Sequence, residues 1–205
     1  MGITERKLKE KEKIREKILQ AAMKLFVKEG FDNVSMRKIS KKISYSAGTI
    51  YLHFKDKESI LYELHNIAFQ KFYNALLIAN EETNSLKRLM KLGENYLNFA
   101  LENPDYYDLM FISNCVSASI EKSKDWAGMD SYGLLQQTIN DCARDGYIKN
   151  TETEAAAFSM WVFVHGIASL AIKKRLSAVP QEDLKDMIFG SLKFLINLLN
   201  IKKSK

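Results

Sequence analysis

The sequence of 205 residues is poor in the residues that interrupt helices, with only two prolines and nine glycines. Proline lacks the backbone donor that a helix needs and glycine destabilises a helical backbone, so this composition favours long helices. The two cysteines, Cys115 and Cys142, are too few for a disulfide framework. No run of about 18 apolar residues is present, and the charged N-terminus lacks the apolar core of a signal peptide. We therefore expect a cytoplasmic protein without a membrane-spanning helix.

The sequence also lacks the motifs that usually accompany catalysis. It contains no G-x-S-x-G nucleophile motif, no glycine-rich phosphate loop and no cluster of His, Cys, Asp or Glu with metal-ligand spacing. The three histidines are scattered along the chain. These absences argue against an enzyme, a metal site and a bound cofactor.

The excess positive charge is confined to the first quarter of the chain. Residues 1–60 contain 15 Lys and Arg against 8 Asp and Glu, whereas residues 61–205 contain 16 against 17. This asymmetry suggests that the first quarter contacts an anionic polymer or surface. Within residues 5–17 the signs alternate, which favours an exposed helix with i,i+4 ion pairs over a binding surface.

Apolar residues recur at helical spacing along the chain, and no segment resembles a strand pair. A first helix ends at Gly30, and Ser35 is the expected N-cap of a short second helix. A third short helix follows, and Asp56 is the expected N-cap of a long fourth helix. We predict an all-α fold with a three-helix helix-turn-helix head over residues 1–56 and a larger helical body over residues 57–205.

The stretch YSAGTIYLHFKDKESIL, residues 45–61, carries more polar groups than a buried helix would. Two short helices joined by a tight turn form a helix-turn-helix unit, whose second helix presents its N-terminal residues to bases in the major groove. Gly48 costs about 0.5–1 kcal/mol of helix stability relative to alanine, which is tolerable where backbone and DNA meet closely. Taken singly, Tyr51 could equally be a rim residue and His53 a structural histidine. The candidate DNA-binding residues are Ser35, Arg37, Tyr45, Ser46, Gly48, Thr49, Tyr51, His53 and Lys57.

The run ILQAAMKLFVKEGFDNVSMRKISKKISYSAGTIYLHFKDKESIL, residues 18–61, resembles the DNA-binding head of the tetracycline-repressor (TetR) family. Its second part, GTIYLHFKDKESIL, is the more specific match. In the interhelical turn, the position of the family's usual small residue is occupied by Ser44, and this choice of residue is a mild departure from the family pattern. The resemblance implies base contacts from Tyr45, Ser46, Ala47, Gly48 and Thr49. It implies phosphate contacts from Ser35, Tyr51, His53 and Lys57.

Two further segments, YLNFALENPDYYDLMF and WVFVHGIASL, resemble the C-terminal body of the TetR type that is named for a Trp-His-Gly trio. The trio corresponds to Trp161, His165 and Gly166. The resemblance implies a helical body that dimerises and senses a ligand.

The last two predicted helices are candidates for the dimer face, because two heads on a two-fold body can read a palindrome. The final helix, residues 183–200, has a long aliphatic stripe, and the preceding helix has small residues that allow close approach. The alternative is that both helices form the core of the monomer. The small residues are Ala155, Ala156, Ala157, Ser159, Gly166, Ala168 and Ser169.

The body contains many large aromatic residues, and an aromatic-rich interior with a few polar groups suits an apolar ligand. Each of these residues could instead belong to the core, and His165 could simply hydrogen-bond a backbone carbonyl. The candidate ligand-binding residues are Phe69, Phe72, Tyr73, Tyr96, Phe99, Tyr107, Met110, Phe111, Trp126, Trp161 and His165.

The favoured interpretation is a homodimeric transcriptional repressor that a small, largely apolar ligand releases from a palindromic double-stranded DNA operator. One alternative is a redox-responsive regulator that uses Cys115 and Cys142, although their apolar helical surroundings favour inert thiols. Another is a protein that binds DNA without sequence preference.

Overall fold

The computed structural model describes residues 3–112 and 128–201, and within these ranges it contains helices and no strands. The predicted all-α class is confirmed. The helices are α1 Ile3–Glu29, α2 Met36–Lys42, α3 Ala47–Tyr51, α4 Lys57–Leu77, α5 Ser85–Glu102, α6 Pro104–Tyr107, α7 Gly128–Arg144, α8 Thr153–Ile172 and α9 Leu184–Ile201. The 3-10 segments are Phe31–Asn33, Ile78–Glu81 and Asn150–Glu152, and a π turn covers Asp108–Ile112.

The chain forms two compact units, and the division between them falls inside α4. The first unit comprises Met1–Ala68 and Asp105–Trp126, and the second comprises Phe69–Pro104 and Ala127–Lys205. The sequence predicts a boundary after residue 56, so the first compact unit is larger than the predicted DNA-binding head. Helix α4 contributes residues to both units.

The core of the first unit forms where the apolar faces of α1, α2, α3 and α4 meet. Ile18, Ala22 and Phe26 lie on one face of α1, and all three are fully buried. They belong to one cluster with Ile39 of α2 and Ile50 of α3. Burying a large apolar side chain stabilises a fold by about 1.5–3 kcal/mol. This cluster therefore holds in place two helices that are too short to be stable alone.

Helix α5 is central to the second unit and packs against α7, α8 and α9. Gly93 of α5 allows α9 to approach closely, because a Cβ at this position would lie 2.8 Å from Cδ1 of Leu192. Phe72 of α4 packs edge-on against Tyr96 and at a tilt against Phe99, with ring centroids 5.1 Å apart in both pairs. All three rings are buried, so they form part of the core.

Helices α8 and α9 each bury one apolar side and expose another. Two of the small residues on α8, Ala157 and Ala168, are at most 1% exposed, so they face the core of the unit instead of a partner. By length and composition alone, α8 is long and apolar enough to cross a membrane. Buried core helices of soluble proteins meet the same criterion. We define the outer apolar face by its exposed residues, which are Phe158, Val162, Leu170, Met187, Phe194 and Leu198.

Candidate DNA interface and effector site

Both short helices of the helix-turn-helix unit begin at a serine N-cap. The hydroxyl of Ser35 accepts a hydrogen bond from the Lys38 N–H of α2 (3.2 Å), and the hydroxyl of Ser46 accepts one from the Thr49 N–H of α3 (3.1 Å). Ser44, in the turn between the helices, has a φ of 59°. A left-handed backbone costs an L-residue about 1–2 kcal/mol, which explains why a small residue suits this position.

Helix α3 buries one side and exposes the side that carries the candidate base contacts. Ile50 is buried, whereas Gly48 and Tyr51 are exposed and Tyr45 and Thr49 are half-buried. Ala47 is also half-buried. The exposed side therefore combines a hydroxyl, a phenol and bare backbone, which are groups that can reach base edges and phosphates.

Gly48 makes no close packing contact with the described residues. A Cβ at this position would meet only the Ser46 hydroxyl oxygen, at an ordinary distance of 3.6 Å. Its backbone is helical, so the left-handed conformation that favours glycine is not the reason either. Alanine would therefore fit at this position and would stabilise the helix.

The hydroxyls of Ser46 and Thr49 are hydrogen-bonded to each other at 2.9 Å. This pairing fixes both side chains before any partner arrives. A hydroxyl both donates and accepts, so each retains capacity for a further bond to a base or phosphate.

His53 follows α3 and is fixed through its backbone. Its carbonyl oxygen accepts a hydrogen bond from Nη1 of Arg15 at 3.2 Å. Burial lowers the pKa of His53, and the charges of Lys11 and Arg15 lower it further, so the ring is neutral at neutral pH. Its Nδ1 is buried and has no hydrogen-bond partner among the described residues. The neutral ring can donate one hydrogen bond to a phosphate oxygen.

Lys57 makes contacts within the protein. Its ammonium donates to the carbonyl oxygen of Phe31 at 3.0 Å and lies 4.2 Å from the centre of the Phe31 ring. It therefore holds the segment between α1 and α2 against the start of α4, a role that helical periodicity does not reveal. Two of its three donors remain for a phosphate.

Several exposed basic residues extend the predicted interface. Arg37, which the sequence analysis includes, is exposed at the start of α2. Three more were not predicted individually from the sequence, although the clustering of positive charge in residues 1–60 is a signal for them. They are Lys41 and Lys42 at the end of α2 and Lys55 before α4.

The candidate ligand-binding residues do not come together in one site. Tyr107, Met110 and Phe111 belong to the first unit, where the rings of Tyr107 and Phe111 pack 4.9 Å apart. Trp126 lies outside the described residues. The remaining members belong to the second unit, and Phe69, Phe72, Tyr96 and Phe99 are buried in packed contacts. Seven residues of the predicted set belong to the second unit: Phe69, Phe72, Tyr73, Tyr96, Phe99, Trp161 and His165.

One open cleft of about 610 Å³ lies in the second unit. Tyr73 is the one candidate ligand-binding residue that lines it. Arg88 also lines the cleft. Its Nη1 donates to Oδ2 of Asp141 at 2.6 Å, and its Nε donates to the carbonyl oxygen of Glu82 at 2.8 Å. The lining combines apolar and polar side chains with one glycine: Tyr73, Met129, Leu134, Asn80, Arg88, Asp130, Gln137 and Gly133.

His165 faces two hydroxyls. Its Nδ1 lies 3.3 Å from the Tyr96 hydroxyl and its Nε2 lies 3.4 Å from the Ser169 hydroxyl. Burial lowers its pKa, so the ring is neutral at neutral pH. The ring of Trp161 packs against it with centroids 5.7 Å apart. The hydrogen bond to a backbone carbonyl that the sequence suggests for His165 stays a prediction.

Cys142 is a buried free thiol in α7. Burial raises its pKa to about 11, and the carboxylates of Asp145 and Asp141 add to the effect. The thiolate is the reactive form, so Cys142 is unreactive at neutral pH. Cys115 lies outside the described residues. Within residues 3–112 and 128–201, no group of three His, Cys, Asp or Glu side chains is placed to hold a metal ion.

Comparisons with known proteins agree with this geometry. Residues 18–64 match the family of bacterial regulatory proteins called tetR, and residues 89–192, half of the chain, match the tetracyclin repressor-like C-terminal domain. An HTH-type transcriptional regulator of Staphylococcus aureus (strain bovine RF122 / ET3-1) is 32% identical over 90 residues, which are 43% of this chain and 49% of that protein. The chain thus spans about half the length of the curated relatives that it matches.

Solved structures share the fold over about nine-tenths of this chain. The fatty acid degradation regulator FadR from Bacillus halodurans has a TM-score of 0.72 at 18% identity, over 90% of this chain and 93% of that one. The TetR family transcriptional regulator PfmR from Thermus thermophilus has a TM-score of 0.72 at 17% identity, over 89% and 95%. At these identities the similarity concerns the fold alone.

Proposed function

This chain belongs to the TetR family of bacterial transcription regulators, which bind DNA, and we propose that it is a cytoplasmic homodimeric repressor of a palindromic operator. The observation that carries the proposal is the exposed side of α3. There Gly48 leaves the backbone bare at a position where alanine would fit. In a head that holds all the excess positive charge, the reason for the glycine is close approach to DNA.

The outer apolar face of α8 and α9 supports the dimer. Large exposed apolar groups on α8 and α9, which both pack against α5, suggest a protein interface. Gly166 and Gly190 add to this, because a Cβ at either would meet nothing within 4 Å in the described part of the chain. A partner helix could therefore approach both backbones closely. A two-fold dimer brings two reading helices to half-sites about one helical turn apart.

The cleft of the second unit is the proposed effector site. Met129, Leu134 and Tyr73 provide apolar contacts, and Asn80 and Gln137 provide uncharged polar groups. Arg88 and Asp130 add charged groups to the lining, so the proposed effector is a small molecule with an apolar part and a polar end. For induction, the effector must bind the state that does not fit the operator more tightly than the state that does.

The test is selection of binding sites from random double-stranded DNA with the full-length chain. We expect enrichment of a palindrome whose half-sites are centred about 10 base pairs apart. Enrichment of no sequence, with equal affinity for all DNA, would favour the protein that binds DNA without sequence preference. The raised pKa of Cys142 gives no support to a redox signal through that thiol.

Sedimentation at micromolar concentration tests the dimer. The wild type should sediment as a dimer, and Phe194→Glu should give a monomer with poor operator affinity, because Phe194 is 67% exposed on the outer apolar face. Lys193→Glu is the matched control, since it places the same side chain at an exposed position that is already polar. A monomeric wild type would contradict the proposal.

A further inference from the structure

Arg15 of α1 contacts both α4 and the segment between α3 and α4 with one guanidinium group. Its Nε donates to Oε1 of Glu63 on α4 at 3.0 Å, and its Nη2 donates to Oε2 of the same carboxylate. Its Nη1 donates to the carbonyl oxygen of His53 at 3.2 Å. The guanidinium carbon also lies 4.5 Å from the centre of the Phe54 ring.

This set of contacts requires arginine. A planar fork with five N–H donors can bind a carboxylate with two nitrogens and a carbonyl with a third, whereas a lysine ammonium is a single point charge. The contacts are also partly shielded, because the side chains of Arg15 and Glu63 are 32% and 26% exposed. Shielding strengthens a charge-assisted pair relative to one in open solvent.

The place of the contacts gives them a consequence for DNA recognition. His53 and Phe54 directly follow α3, so the Arg15 bond fixes the end of the reading helix. Glu63 lies on α4, the helix that continues from Lys57 to Leu77 and contributes residues to both units. Another ion pair of this region, Lys38 with Glu29, joins α2 to α1.

We infer that Arg15 is a positioning residue through which α4 sets the orientation of α3, so that the Arg15–Glu63 pair determines operator specificity without touching DNA. The inference deepens the proposed function and rests on it. A movement of α4 would change the direction of the Glu63 carboxylate, and Arg15 would pass that change to the His53 carbonyl.

The discriminating variant is Glu63→Gln, measured against the selected operator and against random DNA. The substitution is nearly isosteric and removes a negative charge from the head. If the charge acted only through the general electrostatic field, both affinities would rise. A positioning role predicts the opposite for the operator: affinity falls about tenfold, as for one lost charge-assisted hydrogen bond, while random-DNA affinity does not fall.

Arg15→Gln, Arg15→Lys and the double variant with Glu63→Gln complete the design. Each should lower the ratio of operator to random-DNA affinity about as much as Glu63→Gln alone, because all of them break one unit. The salt slope should stay constant, since no phosphate contact is lost. Glu29→Gln is the matched control and should leave the ratio unchanged. A merely destabilised chain would lose both affinities in proportion, so its ratio would not move.

Three outcomes overturn the inference. One is a Glu63→Gln variant that binds the operator as tightly as the wild type or more tightly. Another is a salt slope that falls by about one unit in Arg15→Gln, which would make Arg15 a direct phosphate contact. The third is a wild type that enriches no operator, in which case the proposed function fails and the inference fails with it.

Discussion

Adding one methyl group at Gly48 should change the stability of the fold and its affinity for DNA in opposite directions. The variant Gly48→Ala adds a Cβ on the exposed side of α3, where its one neighbour in the protein is the Ser46 hydroxyl at 3.6 Å. That distance is an ordinary van der Waals contact, so the folded chain accommodates the methyl without movement. Replacing glycine by alanine within a helix stabilises it by about 0.5–1 kcal/mol. The free energy of unfolding should therefore rise.

The same methyl group should weaken operator binding. If the backbone of α3 lies against the bases, the methyl occupies space that the complex needs. Overpacking of a close contact costs about 1–3 kcal/mol, and each 1.4 kcal/mol is tenfold in affinity. We expect the operator dissociation constant to rise about tenfold or more, while binding to random DNA, which depends on phosphate contacts, changes less.

The assay pairs urea unfolding with fluorescence anisotropy on a labelled operator at fixed salt. Gly133→Ala in α7 is the matched control, because a Cβ there would meet nothing within 4 Å among the described residues; it is measured without effector, since Gly133 lines the cleft. It should give a similar gain in stability without a change in operator affinity. An unaltered operator affinity in Gly48→Ala would show that the backbone of α3 does not approach DNA. A loss of stability would contradict the helical conformation of Gly48.

Three further predictions concern contacts within each unit. Gly93→Ala should lower the free energy of unfolding by about 1–3 kcal/mol in urea titrations, because its Cβ would lie 2.8 Å from buried Leu192. The free energy of unfolding should be highest above pH 6.5 and should decrease as the pH falls below that value. Burial lowers the pKa of all three histidines, so the unfolded chain binds protons at a higher pH than the folded chain does. Unfolding curves between pH 7.5 and 5 would check this. Lys57→Met should lower the thermal midpoint of unfolding, because it loses both contacts with Phe31. Lys55→Met, at an exposed position, should leave that midpoint unchanged and should lower the salt slope of DNA binding by about one.

The head could be predicted in detail because its signals are local. The Asp56 N-cap is confirmed, since Oδ1 of Asp56 accepts from the Ser59 N–H (2.7 Å) and the Ser59 hydroxyl accepts from the Asp56 N–H (3.3 Å). Caps and apolar periodicity join residues three or four positions apart, so a sequence displays them directly. The contacts of Lys57 with Phe31 and of Arg15 with Glu63 span 26 and 48 residues, so no local pattern in the sequence predicts them.

The body was harder to predict because aromatic residues suit a core and a pocket equally well. Composition cannot distinguish Phe72, which is buried against two rings, from Tyr73, the next residue, which lines the open cleft. Nor can it assign Tyr107 to the first unit, because that depends on how the chain returns after α5. The Trp-His-Gly subtype likewise stays a prediction, and His165 has hydroxyl partners on two helices.

Helix α8 shows why its outward side could not be identified from sequence, and the same feature favours the dimer. The helix is apolar on nearly all sides, so no stripe separates an inner from an outer face and Ala168 cannot be placed by periodicity. A helix that is apolar on all sides is normally buried on all sides. Among the described residues, α8 is buried on the side of Ala157, Met160, Val164 and Ala168, whereas Phe158 and Val162 are exposed. A second copy that packs on this side would complete the burial, and it would account for a composition that also satisfies the requirements of a membrane-crossing helix.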